Sequence, residues 1–259
     1  MIRNIAKWIR HVLLFNIRGI FITLFPGNNE KKIVALKNSA RRDRCFIVAT
    51  GPSLTISDVE RLSNEVTFGL NSIFLIYDKT SWRPTHYVCT DDGYFAKMLN
   101  EYKFNVLDFS ENEIFLNKNN MNLVGTNERV RYLRFSRWNR SVDFRWTKFN
   151  SDIDKGMYAF GTVTNIAIAI AMYMGYKEVY LIGCDCSNLN KHVVNDVSDA
   201  EKSDEKAAEI AAIQIKGYRN MRRIAEDNCI KIYNSTRGGA LEEFERVDFD
   251  SLFEKGELK

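Results

Sequence analysis

Proline is scarce in this chain, three residues in 259, and the hydrophobic fraction is 45%. With few forced breaks the sequence can bury a full core in one large α/β domain, with room for a helical insertion. No apolar run reaches the roughly 18–20 uninterrupted residues that a membrane-spanning helix needs. No small-residue cleavage site follows the apolar N-terminus, so a cleaved signal peptide is not expected. Two strict phosphate-binding signatures are missing, since neither the GxxxxGK spacing of a Walker loop nor GxGxxG occurs. The five cysteines, Cys45, Cys89, Cys184, Cys186 and Cys229, are an odd number, and Cys184-Asp185-Cys186 has one intervening residue and no second pair near it. A disulfide framework and a zinc site are both disfavoured, and buried free thiols in a reducing compartment are expected. No internal repeat is apparent.

An excess of charge is also lacking overall, at a net of +4, but the distribution is uneven. Residues 1–45 hold ten Lys or Arg against Glu30 and Asp43, a net of +8, which leaves the remainder at −4. A partner for the basic character is therefore to be sought at the N-terminus. Residues 1–25 are rich in Ile, Leu and Phe but are interrupted by Arg3, Lys7, Arg10, His11 and Arg18. With Trp8, this suits a helix lying in a membrane interface and drawn to anionic lipid. A helix packed on the domain, or on another subunit of a homo-oligomer, fits the same residues. Pro26-Gly27-Asn28-Asn29 punctuates, and Lys31 to Arg44 reads as a solvated basic connector. Residues 1–44 are thus set apart from a catalytic domain over 45–259.

What the chain does have is organised around Tyr158 to Ser187. A Gly-Thr turn leads into an apolar run of helical length, a Gly-Tyr-Lys-Glu break, and a strand ending in Gly183-Cys184-Asp185. The run alternates Ala with Ile and Met and is apolar nearly all round, which fits a helix buried between a sheet and another layer. Gly175 closes it, and Val179 to Ile182 reads as a parallel strand buried on both faces. Helix N-terminus and strand C-terminus then lie on the edge where ligands bind open α/β sheets.

Other strands point to the same edge. Cys45 to Ala49 is followed by Thr50-Gly51-Pro52-Ser53-Leu54, a turn that sets backbone N–H groups beside a phosphate. Val66 to Leu70 ends at Asn71, whose amide can both donate and accept. His86 to Cys89 ends at Thr90-Asp91-Asp92-Gly93. Ile230 to Asn234 is the last strand, followed by a loop in which Gly238-Gly239 permits close approach and Arg237 suits a phosphate or carboxylate. Val106 to Phe109 reads as a further strand. Asp204 to Asp227 is an amphipathic helix, with Ala208, Ala211, Ala212, Ile215, Tyr218 and Met221 along one stripe. Basic residues interleave with aromatics from Arg129 to Lys148, a composition that raises nucleic acid, but the acidic balance of the surroundings favours an active-site flank and no nucleic-acid partner. His192, the only histidine in the back half, is a candidate base at neutral pH, and a surface histidine without a role fits equally.

The segments Ile47 to Leu54, Phe68 to Asn71, Tyr87 to Asp91, Gly161 to Asn165, Met174 to Asp185 and Asn234 to Gly239 together resemble a bacterial family. It is the one shared by 6-hydroxymethylpterin pyrophosphokinase-like proteins, motility-associated glycosyltransferases and small proteins of surface-polysaccharide clusters. The chain also resembles, more distantly, the bacterial sialyltransferases of lipooligosaccharide synthesis. The resemblance covers roughly residues 45–253. It implies a Rossmann-like α/β fold, a mostly parallel sheet with helices on both faces, and metal-independent transfer from an activated sugar with a histidine as base. It further implies that Thr50, Gly51, Pro52 and Ser53 cradle the nucleotide phosphate, that Asn71 contacts the donor, that Thr162 and Thr164 bind phosphate or donor near the helix start, and that Asp185 lies at the donor edge. Thr90, Asn165, Arg237 and Gly238 join the expected substrate-binding set from their own places at a strand end, the helix start and the last loop. Two departures matter. The first turn reads Thr50-Gly51 where the sialyltransferases have Asn-Gly, and their histidine falls further beyond the strand than His192, which makes Asp91 or Asp92 a rival base.

The expected function is a glycosyltransferase of surface-glycan synthesis, cytoplasmic and peripheral on the inner face of the membrane. It would move a sugar, sialic-acid-like from a CMP donor in one version, to a glycan or lipid-linked acceptor, with the nucleotide sugar as co-substrate and no cofactor or metal. A diphosphokinase acting on a pterin-like alcohol is the alternative, and it would need ATP and Mg²⁺ held by Asp91, Asp92 and Asp185. A non-catalytic scaffold of a glycan-assembly complex is a third reading.

Overall fold

A computed structural model describes residues 13–14, 16–135, 153–157, 161–186 and 204–253. The strands are β1 (Arg44–Val48), β2 (Thr67–Leu70), β3 (His86–Cys89), β4 (Ile114–Asn117), β5 (Val130–Leu133), β6 (Glu178–Ile182), β7 (Lys231–Asn234) and β8 (Glu245–Arg246). They form one sheet in the order β5-β4-β3-β2-β1-β6-β7-β8, and every pairing is parallel. The chain builds outward from β1 to β5, returns, and continues from β6 to β8. The order therefore reverses between β1 and β6, which is the topological switch point of a doubly wound sheet.

The helices are α1 (16–24), α2 (Asn28–Val34), α3 (Ile56–Arg61), α4 (Asp92–Tyr102), α5 (Met121–Val124), α6 (Val163–Met174) and α7 (Asp204–Asp227). Alternation along the strands decides which helices each face meets. Cys45, Ile47, Val179 and Leu181 pack with α2, α6 and α7, whereas Phe46, Val48, Tyr180 and Ile182 pack with α3 and α4. Helices on both faces are what a sheet buried on both sides requires.

α6 lies across β1, β2 and β3. Thr162 caps its start by accepting from the Thr164 N–H at 3.4 Å. It ends at Gly175, φ 99°, where the Tyr176 N–H reaches the Ala171 carbonyl and the Gly175 N–H the Met172 carbonyl, each at 3.1 Å. That pair is a Schellman closure, and it needs the left-handed glycine.

The basic stretch from Lys31 to Arg44 is not a solvated connector. Its first residues belong to α2, where Ile33 is 1% exposed and Leu36 just beyond it is also buried, both in the core with α6. The physical reason is the outer strand β5, whose free edge needs cover. Asn29 supplies it: its amide donates to the Tyr132 carbonyl at 2.9 Å and accepts from the Tyr132 N–H at 2.8 Å, as a neighbouring strand would. Val106–Asp108, expected as a strand, is a 3-10 turn capped by Asn105, which accepts from the Leu107 N–H at 3.2 Å. The strand after it is Ile114–Asn117.

Candidate active site

At the switch point the pairing of β1 with β6 runs past both strand ends. The Ala49 N–H donates to the Ile182 carbonyl at 3.0 Å and the Gly51 N–H to the Gly183 carbonyl at 2.9 Å. Asp185 then bends toward the first turn, where its Oδ2 accepts from the Ser53 hydroxyl at 2.8 Å and from the Ser53 N–H at 3.4 Å. This closeness explains two glycines. A Cβ on Gly51 would stand 2.0 Å from Asp185 Oδ2 and 2.4 Å from the Gly183 carbonyl oxygen. One on Gly183, φ 66°, would stand 2.6 Å from the Ala49 carbonyl oxygen.

β7 adds a third arm. Thr236 accepts from the Cys184 N–H at 3.0 Å, the Ala240 N–H donates to the Asp185 carbonyl, and Gly239 packs against the Asp185 backbone with no room for a side chain. Asn234 fixes this loop by accepting from the Thr236 N–H and donating to the Leu241 carbonyl. α6 and α7 close the junction from one face. The buried Tyr218 hydroxyl is hydrogen-bonded with Thr162 and Thr164, and Thr164 also meets the Cys184 thiol. Burial raises both the Tyr218 hydroxyl and the Cys184 thiol far above their ordinary values, and it pushes Cys186 up to about 11. These groups are neutral hydrogen-bonding parts, not nucleophiles.

The expected residues fall out as follows. Thr50, Gly51, Pro52, Ser53, Asp185 and the start of α6 come together at the junction, with Thr50 and Asp185 buried and Ser53 half-buried. Asn71 stands at the end of the adjoining β2 with φ 47°, in left-handed backbone, its carbonyl accepting from the Tyr87 hydroxyl at 2.6 Å. Its Oδ1 is buried without a hydrogen-bond partner. Thr90, Asp91 and Asp92 follow β3, two strands and about 10 Å from β1. Thr90 is buried, Asp91 caps α4 by accepting from the Tyr94 N–H at 2.9 Å, and Asp92 accepts from the Asn119 amide at 2.6 Å. Thr164 and Asn165 lie inside the fold. Gly238 is exposed, at φ 69°. Arg237 is engaged elsewhere: it pairs with Asp58 of α3 and, at 3.0 Å, with Asp250, and lies over the Phe249 ring. His192 lies outside the described residues.

The basic-aromatic stretch from Arg129 is not a flank of this site where it is described. Arg129 and Arg131 belong to the outer border of the sheet and Arg134 follows β5. Arg131 pairs with Glu113 at 2.8 Å, Arg134 with Glu30 at 2.6 Å, and Arg129 donates to the carbonyls of Leu107, Ser110 and Glu111. Its remainder lies outside the described residues. Gly239 makes the close approach expected of the Gly238-Gly239 pair, whereas Gly183, Asn234 and Thr236 were not assigned as builders of the junction from sequence. Their signal was positional, since each falls at or just after the end of a core strand.

The model of the 6-hydroxymethylpterin diphosphokinase MptE-like family matches residues 21–191. The chain belongs to this family. No curated protein sequence matches this MptE-like chain. Among solved structures, it shares its fold with the MAf glycosyltransferase from Magnetospirillum magneticum AMB-1, at 16% identity and a TM-score of 0.51 over 86% of this chain. The MptE-like chain corresponds to only 38% of that protein's length. Two structures of the sialyltransferase CstII from Campylobacter jejuni overlap it more loosely. The one with cytidine-5'-monophosphate has 16% identity and a TM-score of 0.40 over 79% of this chain and 84% of that one. The one with CMP-3FNeuAc has 18% identity and 0.43 over 80% and 85%.

Proposed function

We propose that this MptE-like chain is a glycosyltransferase of bacterial surface-glycan synthesis, working from the cytoplasmic side of the membrane, with a nucleotide sugar laid across the carboxyl ends of β6, β1, β2 and β3. The observation that carries the reading is the convergence of the turns after β1, β6 and β7 with the start of α6 at the switch point. Open α/β sheets take their ligands there.

The Asp185 carboxylate refines the expected roles. It already takes the Ser53 hydroxyl and N–H. A phosphate brought to about 4 Å of it would meet a repulsion of about 4 kcal/mol at an effective dielectric of 20. The Ser53–Asp185 pair therefore suits a hydroxyl-bearing part of the donor, a ribose or sugar diol, which can donate to the carboxylate. The phosphate belongs nearer Thr162 at the start of α6, where N–H groups point outward. Asn71, with its unpaired buried oxygen, accepts a donor from the base or sugar. In the transfer, an acceptor hydroxyl oxygen bonds to the anomeric carbon as the carbon–oxygen bond to phosphate breaks, and that electron pair leaves with the nucleotide. The hydroxyl proton passes to a carboxylate or histidine, for which Asp91, Asp92 and His192 are the candidates. The acceptor is a glycan or a lipid-linked glycan.

The family description favours a second reading, transfer of diphosphate from ATP to a pterin-like alcohol. Among the described residues no three His, Cys, Asp or Glu side chains come together as a metal-binding group, so joint ligation of Mg²⁺ by Asp91, Asp92 and Asp185 has no support from that geometry. Fewer carboxylates aided by the substrate's phosphates remain compatible with that ion.

A thermal-shift screen against CMP-, UDP-, GDP- and ADP-linked sugars, with ATP and Mg²⁺ in parallel, separates the two, since a ligand of the folded state raises its melting temperature. Stabilisation by one sugar nucleotide, reduced in Ser53→Ala, is the expected result. Stabilisation by ATP with Mg²⁺ alone moves the assignment to the second reading, and no response to any compound removes both.

A further inference from the structure

The N-terminal helix turns the wrong face to water. In α1 and the residues beside it, Gly19 and Ile22 are buried against the domain, with Gly19 facing Lys155. Leu13, Ile17, Ile20, Phe21, Leu24 and Phe25 are 55 to 67% exposed. Their spacing of three and four residues puts them on one stripe of a helix. A continuous exposed apolar stripe of this kind marks an interaction surface, not ordinary scatter.

The charge around the stripe identifies the partner. Residues 1–29 contain Arg3, Lys7, Arg10 and Arg18 and no Asp or Glu. The exposed Arg18 acts electrostatically on Lys118, whose ammonium is held below its ordinary value first by burial and then by the Arg134 and Arg18 charges. Glu30 is the carboxylate that answers this group, 2.6 Å from Arg134 and 3.8 Å from Lys118. Two copies meeting stripe to stripe would bring together two rims that carry Arg18, and residues 1–29 hold no carboxylate to neutralise them. Anionic lipid headgroups neutralise such a rim while the acyl region takes up the apolar side. No helix among the described residues is long and apolar enough to cross a membrane.

We infer that residues 13–14 and 16–25 form an interfacial anchor that seats the protein on an anionic lipid surface, with the aliphatic and Phe stripe among the acyl chains and Arg18 at the headgroups. This goes beyond the donor site and does not rest on it.

The test is co-sedimentation of the full chain with vesicles of phosphatidylcholine alone and of phosphatidylcholine mixed with phosphatidylglycerol, at low and raised salt. Binding to the mixed vesicles that weakens with salt is expected, with little binding to phosphatidylcholine. The double variant Ile17→Glu/Phe21→Glu should keep the wild-type melting temperature and lose at least about tenfold in partitioning. Wild-type chain left in the supernatant with both vesicle types overturns the inference, and so does a double variant that binds as well as wild type. A wild-type dimer in light scattering that the double variant splits, without vesicle binding, assigns the surface to a second copy. The sugar-nucleotide thermal shift of the double variant, read in parallel, tells failure of the anchor from failure of the donor site.

Discussion

The junction at the centre of the sheet and the border at β5 meet the same problem, a strand with polar backbone groups left over, in opposite ways. At the centre, three turns are drawn so close that Gly51, Gly183 and Gly239 have no space for a methyl group, and one residue, Asp185, touches two of the turns, with its carboxylate on Ser53 and its backbone carbonyl on the Ala240 N–H. At the border, a single amide from Asn29 serves Tyr132, and just before it in the chain an apolar stripe is left in water. The centre is fixed by geometry and the border is left free to take a partner.

The largest break in that contrast is Gly51→Ala. Its Cβ has no position that avoids Asp185 and the Gly183 carbonyl, and we expect a loss of about 3 kcal/mol or more in urea unfolding, at or beyond the upper end of overpacking costs. Next comes His86, buried in β3 between Phe68 and Phe115 and accepting from the Glu113 N–H at 3.3 Å. Burial, helped by the Arg131 charge, lowers it to about 3 from an ordinary 6.5. Its folded value lies below its unfolded one, so the unfolded chain binds the proton first. The stability this neutral ring contributes is complete above about pH 6.5 and is lost as pH falls toward 3, by up to about 1.4 kcal/mol per pH unit. In His86→Leu the pH slope of the urea midpoint between pH 6.5 and 5 should flatten, and an unchanged slope would show that another group carries it.

Asn29→Ala sharpens the comparison from the other side. It removes both hydrogen bonds to Tyr132, for an expected loss of about 1–2 kcal/mol, and it uncovers the edge of β5. Light scattering at rising concentration should show association of this variant and none of wild type. The smallest effect belongs to Leu24→Glu. That side chain is 66% exposed, and stability in the absence of lipid should stay within about 0.5 kcal/mol of wild type. A clear loss would mean that the stripe is packed in solution.

The centre was also the more legible region. Apolar Ala-Ile alternation, Thr162 before it and Gly175 after it fixed α6, and Val179 to Ile182 fixed β6, because local chemistry and tertiary burial agree there. The residues after β1, β2, β3 and β6 were found as a set, since each strand ends abruptly in small or polar residues. What could not be read was pairing between distant residues. Nothing local says that Asp185 takes the Ser53 hydroxyl and N–H, or that Arg237 is held by Asp58, 179 positions away in the chain. β4 was hidden because three apolar residues, Ile114 to Leu116, sit among asparagines. α2 was misjudged because Ile33 and Leu36 are outnumbered by lysines, one of which, Lys32, is itself tied to the Asn127 carbonyl and Glu128.

The two borders of the sheet have one more result. The β5 side is answered by the Asn29 amide and, just beyond the strand, by the Met157 N–H on the Arg134 carbonyl, and the opposite side stops at Glu245–Arg246, a strand of two residues. Among the described residues, neither border therefore offers a stray peptide a long open strand to add itself to. On the lipid surface inferred for the N-terminal stripe, copies would crowd closely without polymerising through their sheets.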